Sequence, residues 1–312
     1  MLEVEGLTKY YGHKRAVNQV NFRIEQGEII GLLGLNGSGK TTLLRMLAGN
    51  LLPTAGRVTI GGVDLLQEPH EVKKNLSFLP ETPPLYGDMK VKAYLRFVGR
   101  LKGMDRAKLR DRLPAIEAQT AIEDVGDEII GHLSFGYRQR VAVAMTLLHE
   151  PKLLLLDEPA SGLDPVQIVE MRGLIRSLQG NHTVILSSHL LPEISQICDR
   201  ILMIQEGEII GEGPEEELAK KFTRKIRVRI QARGVRSEIE ECLQGVAEVE
   251  EIEWVREEGG RSSFVLSLSE DVRDSISSKL AGRGLGLLEM ARTDLDLENT
   301  FLRLMLKEEE PS

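Results

Sequence analysis

The stretch Gly34-Leu35-Asn36-Gly37-Ser38-Gly39-Lys40-Thr41-Thr42 decides the fold of this chain. It fits the pattern G-x-x-x-x-G-K-[ST], which is typical of a phosphate-binding loop. The apolar run Ile29 to Leu33 comes directly before it and predicts a buried strand. The segment Leu43 to Ala48 comes after it and has the spacing of a helix. Strand, glycine-rich loop and helix are the context that this motif requires.

The residue types in this loop explain why it could bind phosphate. Its glycines let the backbone curl so that successive N–H groups point at an anion, and the following helix adds its positive end. The lysine is expected to reach the β- and γ-phosphates, and the first threonine to hold Mg²⁺. The predicted nucleotide contacts in the loop are Gly34, Asn36, Gly37, Ser38, Gly39, Lys40, Thr41 and Thr42.

Length and composition narrow the class of protein. The chain has 312 residues, enough for one large or two ordinary domains, and a formal net charge of −8, which does not favour a nucleic-acid partner.

No run approaches the roughly 20 apolar residues of a membrane span, so work at a membrane would need a partner. The N-terminus does not read as a signal peptide, and the cysteines Cys198 and Cys242 lack metal-ligand spacing, so we expect a reducing compartment.

Two further strands are predicted to end in polar residues at one edge of a sheet. Leu153 to Leu156 reads as a strand buried on both faces, as in a parallel sheet, and it is followed by Asp157 and Glu158. Asp157 suits Mg²⁺, held directly or through water, and Glu158 suits a base that orients water. Another apolar strand ends at His189. A lone histidine is usually structural, but this one shares the edge, so both interpretations stay open.

The remaining pattern indicates two domains, residues 1–218 and 219–312. The connecting stretch between them is predicted at 212–224, which includes the charged run Glu215 to Glu217. The first begins with antiparallel strands and contains a helical subdomain at about 87–148, where apolar residues recur at helical spacing. The second has the order βαββαβ, which suggests a ferredoxin-like module closed by an amphipathic helix around 297–305. This module is either a packing or dimer-stabilising domain or a small-molecule sensor.

By its motifs, the segment 1–218 resembles the nucleotide-binding subunit of an ABC transporter. The phosphate loop resembles the Walker A motif, and the strand that ends in Asp157 and Glu158 resembles Walker B with its catalytic glutamate. The other matching positions are Ser161 to Asp164 for the D-loop, His189 for the switch histidine, Tyr11 for the adenine-stacking aromatic, Glu81 for the Q-loop glutamine, and Ser134 with Gly136 for the Leu-Ser-Gly-Gly-Gln signature.

Three positions depart from the family pattern. Phe135 replaces the first signature glycine, and Tyr137 replaces the usual glutamine or methionine. Glu81 replaces the Q-loop glutamine, which keeps an oxygen ligand for Mg²⁺ but adds a negative charge. The Ser-x-Gly-Tyr-Arg-Gln-Arg form and the appended C-terminal module are similar to subunits that serve exporter-type permeases, including the gliding-motility and multidrug-export groups.

The resemblance implies a fold and a function. The fold is α/β, a P-loop NTPase with a RecA-like core, an antiparallel β subdomain and an inserted helical subdomain, plus the small α+β ferredoxin-like C-terminal domain. The function is ATP hydrolysis at a head-to-tail dimer interface, driving export through a separate integral membrane permease. The partner copy would be identical or a related ATPase, no nucleic acid is expected, and the location would be cytoplasmic, peripheral on the cytoplasmic face of the membrane.

The resemblance also assigns roles to residues. The catalytic set is Glu158, His189 and Lys40, and the Mg²⁺ ligands are Thr41, Glu81 and Asp157. Outside the phosphate loop, the ATP contacts are Tyr11, Ser134, Gly136 and Asp164.

Two other functions are alternatives to transport. A soluble ABC-type ATPase acting on nucleic acid or the ribosome would usually carry coiled coils, zinc sites or two fused ATPase halves, none of which this acidic chain shows. A P-loop kinase or GTPase is disfavoured because no Asn-Lys-x-Asp guanine motif is present.

Overall fold

The computed structural model describes residues 1–222 and 226–292, and the chain divides into two compact units, residues 1–214 and 215–312. The boundary drawn from the sequence, between residues 218 and 219, falls inside the first helix of the second unit. The amphipathic helix predicted around 297–305 lies outside the described residues. Within the described ranges, no helix is both long and apolar enough to cross a bilayer.

The first unit combines a six-stranded sheet, a four-stranded sheet and seven helices in its described part. In chain order these elements are β1 Leu2–Tyr11, β2 Lys14–Ile24, β3 Ile29–Leu33, α1 Lys40–Leu47, β4 Ala55–Ile60, β5 Val63–Asp64, α2 Pro69–Lys74, β6 Leu76–Leu79, α3 Val91–Leu101, α4 Arg106–Thr120, α5 Phe135–Leu147, β7 Leu153–Asp157, α6 Pro165–Arg176, β8 Thr183–Ser188, α7 Leu191–Ser195, β9 Arg200–Gln205 and β10 Glu208–Gly213.

The six-stranded sheet has the order β10-β9-β3-β8-β7-β6. All pairs in it are parallel except that of β10 with β9, which form an antiparallel hairpin. Every residue of β3, β7 and β8 is buried, as near-continuous apolar runs in a parallel sheet require. Because β3, β8 and β7 are neighbours, the polar residues at their carboxyl ends share one edge.

The four-stranded sheet is antiparallel, with the order β2-β1-β4-β5. The inward residues of β1, among them Leu2 and Val4, belong to the same apolar cluster as Leu43 and Leu44 of α1 and Leu155 of β7. The helix that follows the phosphate loop is therefore held between residues of both sheets.

The predicted helical subdomain corresponds to α3, α4 and α5. Tyr94, Leu95, Leu109 and Ile116 from α3 and α4 are buried in one cluster that also contains Leu154 of β7. Helix α5 begins after Ser134, which is its N-cap, because Ser134 Oγ accepts a hydrogen bond from the Tyr137 amide at 3.3 Å. These layers match the predicted P-loop α/β fold.

The second unit is a small α+β domain. Its described elements are α8 Glu215–Phe222, β11 Ile226–Arg233, α9 Arg236–Gln244, β12 Val249–Glu258, β13 Arg261–Leu268, α10 Arg273–Gly282 and β14 Gly286–Arg292. The sheet is antiparallel with the order β12-β13-β11-β14, which is the ferredoxin-like arrangement that the order βαββαβ predicted. Its core is a separate cluster that includes Ile230, Ile239, Phe264 and Ile276.

The charged run Glu215 to Glu217, read from the sequence as part of a connecting stretch, instead opens helix α8. Carboxylates in a first turn are favoured by the positive end of the helix, and Leu218 in the next position is fully buried. These two effects make the stretch helical although its composition resembles that of a linker.

Candidate active site

The loop between β3 and α1 has the geometry of an anion cradle. A Cβ atom on Gly34 would lie 2.5 Å from the carbonyl oxygen of Ile204 and 2.5 Å from Ser38 Oγ, so only glycine fits there. Gly39 has φ +110°, and a Cβ on it would lie 2.5 Å from the Ala16 carbonyl oxygen. Helix α1 starts at Lys40 without a side-chain cap, so its first N–H groups are left for a ligand.

The rest of the loop is consistent with a bound phosphate group. Asn36 and Gly37 are exposed at its tip, and Thr42 is half-buried in the first turn of α1. Ser38 is buried, and its Oγ has no hydrogen-bond partner among the described residues. A buried hydroxyl without a partner is costly, so this atom supports the presence of a polar ligand.

Lys40 is held over the loop by three oxygen atoms. Its Nζ donates to the carbonyl oxygen of Gly34 at 2.7 Å and lies 3.3 Å from that of Leu35. The same Nζ is 3.2 Å from Glu158 Oε1. The lysine side chain and the Glu158 side chain are only 6% and 9% exposed, which makes this a buried ion pair.

Asp157, at the end of β7, receives two hydroxyl groups on the same oxygen. Ser187 Oγ donates to its Oδ1 at 2.7 Å, and Thr41 Oγ1 donates to Oδ1 at 3.2 Å. No described residue donates to its Oδ2. The structure therefore brings the predicted metal ligands Thr41 and Asp157 together and leaves a carboxylate oxygen free.

Glu158 is held in an uncommon backbone conformation, with φ +49°. Its amide donates to Ser187 Oγ at 2.9 Å, and its Oε2 lies 3.0 Å from His189 Nδ1. Backbone conformations of this kind persist only where the surroundings determine them, and they concentrate at functional sites. The structure thus joins the three residues predicted to be catalytic, Lys40, Glu158 and His189, in one contiguous group.

Sequence reasoning missed Ser187. This serine links Asp157 and Glu158, because its hydroxyl donates to one and accepts from the backbone of the other. The available signal was a hydroxyl group near the end of the otherwise apolar strand β8 and close to His189. Ser188, the next residue, is also buried, and its hydroxyl donates to Glu193 Oε2 at 2.6 Å and accepts from the Leu190 amide, which anchors the turn after His189.

The donor set around Asp157 fits Mg²⁺. Among the described residues there is no group of three or more His, Cys, Asp or Glu side chains that could hold a metal by themselves. Mg²⁺ usually takes one or two protein ligands and fills its remaining positions with waters and substrate phosphates. A hydroxyl and a carboxylate beside a phosphate-binding loop match that mode of binding.

Glu81 and Tyr11 lie outside this group of contacts. Glu81 is exposed in the loop after β6 and makes no hydrogen bond or ion pair with any residue in the described ranges. Tyr11, at the end of β1, is 49% exposed, and the Lys9 ammonium lies 5.5 Å from its ring centroid. The ring is therefore about half accessible to solvent, with the Lys9 ammonium over one of its faces.

The signature-like turn forms a second polar surface. Ser134 is exposed, and Gly136 is buried against Gln167, whose side chain a Cβ on Gly136 would approach to 2.6 Å. Asp164 caps α6 by accepting a hydrogen bond from the Gln167 amide at 2.9 Å. Among residues 1–222 and 226–292, neither Ser134 nor Gly136 is hydrogen-bonded to the phosphate loop.

Comparison with known proteins gives consistent matches. A family model described as "ABC transporter" matches residues 17–161. The bacitracin transport ATP-binding protein BcrA of Bacillus licheniformis is 36% identical over 223 residues, covering 71% of this chain and 72% of BcrA. The linearmycin resistance ATP-binding protein LnrL of Bacillus subtilis (strain 168) is 27% identical over 305 residues, covering 97% of this chain and 98% of LnrL. A solved structure described as the ATP binding subunit of an ABC transporter superimposes with a TM-score of 0.65 at 29% identity, covering 71% of this chain and 93% of that one.

Proposed function

The chain belongs to the ATP-binding subunits of ABC transporters, and from this premise we propose that two copies hydrolyse ATP head to tail to drive export through a separate membrane permease. ATP-binding domains of this family bind and hydrolyse ATP. The ATPase domain would span 1–218, and the accessory domain 219–312 would be a packing or dimer-stabilising module.

The strongest support for this proposal is the grouping of the predicted catalytic and phosphate-binding residues. The phosphate loop, the carboxylates Asp157 and Glu158, and His189 meet at one edge of the sheet, within hydrogen-bonding distance of one another. Such an arrangement of anion cradle, metal ligand and water-orienting base suits the hydrolysis of a nucleoside triphosphate, where catalysis is mostly positioning and charge stabilisation.

Each residue of the site receives a role in the proposed reaction. Lys40 and the loop amides neutralise phosphate charge. Thr41 and Asp157, with Glu81, would hold Mg²⁺, which would supply further neutralisation when bound. Glu158 orients the attacking water, and His189 contacts the γ-phosphate. Tyr11 stacks on the adenine, and Asp164 lies at the nucleotide interface of the pair.

The position of the signature-like turn supports the proposed head-to-tail pairing. Ser134 caps helix α5 and Gly136 lies in its first turn, where the unpaired N–H groups of a helix favour an anion. In the described ranges no hydrogen bond joins these two residues to the phosphate loop of the same chain. A second copy can supply them. The triphosphate would then lie between the loop of one copy and Ser134 and Gly136 of the other.

The permease and its location belong to the proposal as well. BcrA is named for bacitracin transport and LnrL for linearmycin resistance, and both names support export. The loop at 81–88 and the helical subdomain would contact the permease at the cytoplasmic face. They present the exposed rings of Tyr86 and Phe97, whose centroids are 5.6 Å apart. These relatives favour transport over a soluble role on nucleic acid or the ribosome.

The test uses the purified full chain. We expect Mg²⁺-dependent ATP hydrolysis by the parent and ATP-dependent dimers, measured by light scattering, of the Glu158→Gln variant. A variant that remains monomeric with saturating ATP would contradict the head-to-tail reaction. Cell fractionation tests the proposed membrane partner. Copurification with ribosomes rather than with the membrane fraction would contradict the transport role.

A further inference from the structure

Tyr137 occupies a position where the family pattern has glutamine or methionine, and its side chain makes a specific contact. Its hydroxyl donates a hydrogen bond to Asp124 Oδ2 at 2.6 Å. Asp124 lies in the 3-10 turn Glu123–Val125, which follows α4. A distance of 2.6 Å is typical of a hydrogen bond from a hydroxyl to a carboxylate. Such a bond is stronger than a hydrogen bond between two neutral groups. That bond also raises the pKa of Tyr137.

A second residue, in the next turn of α5, ties this helix to its surroundings. The guanidinium of Arg140 lies 5.9 Å from the ring centroid of Tyr137, and it binds the carboxylate of Glu170 in α6. Arg140 also lies within 3.4 Å of the Ala121 carbonyl oxygen, at the end of α4. The first two turns of α5 are therefore attached on one side to the end of α4 and the turn that follows it, and on the other side to α6.

These contacts border the two residues that the proposed reaction uses. The Tyr137 amide donates to Ser134 Oγ, so the backbone of Tyr137 is part of the N-cap itself. Ser134, Gly136, Tyr137, Asp124, Arg140 and Glu170 line one open groove. The effect of a helix terminus on an anion falls off within one turn, so a small tilt of α5 would weaken its contact with phosphate.

From this geometry we infer that Tyr137 is a positioning residue: its hydrogen bond to Asp124 fixes the first turn of α5 so that Ser134 and Gly136 meet the triphosphate bound by the second copy. The inference rests on the proposed head-to-tail function. Tyr137 touches no phosphate in this arrangement and acts through the turn that it holds.

The test measures ATP-dependent dimerisation of the full chain in the Glu158→Gln background. Tyr137→Phe removes only the hydroxyl, and we expect it to raise the dimer dissociation constant about tenfold, which corresponds to about 1.4 kcal/mol. Asp124→Ala should give the same loss, and the double variant should lose no more than either single one. Asp124→Asn keeps an acceptor and should restore part of the affinity. Asp111→Ala is the matched control, because Asp111 is exposed on α4 and pairs only with its neighbour Arg110 in the described ranges.

A second measurement separates positioning from general destabilisation. Binding of fluorescent ATP to the dilute, monomeric chain should be unchanged by Tyr137→Phe, because the phosphate loop of the same chain is untouched. Loss of this binding together with the dimer would overturn the inference. So would an unchanged dimerisation constant, or additive losses in the double variant. Failure of the Glu158→Gln parent to dimerise would overturn the head-to-tail function itself, and with it the role of Tyr137.

Discussion

The Nζ atom of Lys40 and the Oε1 atom of Glu158 lie 3.2 Å apart, and this ion pair joins the phosphate loop to the end of β7. Each side chain neutralises the charge of the other, because an unpaired charge would be costly to bury. In the proposed reaction a triphosphate offers Lys40 several anionic oxygens, so the lysine exchanges partners. Glu158 then becomes free to accept a hydrogen bond from water.

The first prediction concerns Glu158 alone. Glu158→Gln keeps the shape of the side chain but removes the charge that orients water, so steady-state ATP hydrolysis should fall about 10²–10⁴-fold. ATP binding should persist, because Lys40 loses a competing partner. Hydrolysis is measured by phosphate release and binding by equilibrium dialysis. Steady-state turnover equal to that of the parent would remove Glu158 from its proposed role.

The second prediction concerns the buried ion pair. Lys40→Met should abolish ATP binding and lower the free energy of unfolding by about 3 kcal/mol, because it leaves the Glu158 carboxylate without its cation. Adding Glu158→Gln to that variant removes the unpaired charge and should recover most of the lost stability. Thermal unfolding followed by calorimetry checks both. A double variant less stable than Lys40→Met would show that the pair does not stabilise the site.

The third prediction concerns the serine that links the two carboxylate residues. Ser187→Ala leaves the buried amide of Glu158 without an acceptor, which should cost about 1–3 kcal/mol of unfolding free energy. It should also reduce ATP hydrolysis more than tenfold, about the effect expected for misplacing a catalytic group. Ser177→Ala, at the exposed end of α6, is the control and should match the parent in both assays. Full activity in Ser187→Ala would contradict the linking role.

The fourth prediction separates two glycines of the phosphate loop. Gly34→Ala places a Cβ atom against the Ile204 carbonyl oxygen, so it should cost about 2–3 kcal/mol of unfolding free energy. Gly37 has φ +83° but open space around it, so Gly37→Ala should cost only about 1 kcal/mol through backbone strain. Their unfolding midpoints, measured side by side, should therefore differ. Equal midpoints would mean that the close approach at Gly34 relaxes freely.

The fifth prediction concerns pH. Burial, together with the nearby Lys102 ammonium, lowers the pKa of His149 to about 4. Between that value and its ordinary pKa of about 6.5, the unfolded chain takes up a proton that the folded chain does not, so stability falls as the pH drops through this window. The loss should be about 1 kcal/mol once solvent screening of the partly exposed ring is allowed for.

The variant His149→Gln tests the fifth prediction. It cannot take up this proton, so its unfolding midpoint should fall less than that of the parent between pH 7.5 and pH 5. His13→Gln, at an exposed site, serves as the control and should follow the parent. An identical decrease for parent and His149→Gln would rule out this histidine as a source of acid sensitivity.

The elements that carry the site could be predicted because each has a strong local signal. The runs in β3, β7 and β8 are too apolar to lie anywhere but inside a sheet, and the phosphate loop permits few conformations. The βαββαβ order of the second unit was likewise predictable from alternating periodicities. The run Glu215 to Glu217 indicated a connecting stretch rather than a helix, because a charged first turn of a helix and a linker have the same composition.

The contacts that complete the site could not be predicted in the same way. Lys40 and Glu158 are far apart in the sequence, and only the pairing of β3 with β8 and of β8 with β7 brings them together. Ser187 gave a signal, but its partners depend on the register of β7 against β8. The bond between Tyr137 and Asp124 depends on a 3-10 turn whose position follows from tertiary packing rather than from propensity.

The central place of β3 in the sheet also affects how the protein is made. β3 ends at residue 33, yet its two neighbours, β8 and β9, are not complete until residue 205. A ribosome must therefore add about 170 further residues, roughly 10–30 s of synthesis, before the phosphate loop can be enclosed. Nascent chains that stop earlier expose an apolar strand that lacks at least one of its neighbours, which makes them natural clients of chaperones.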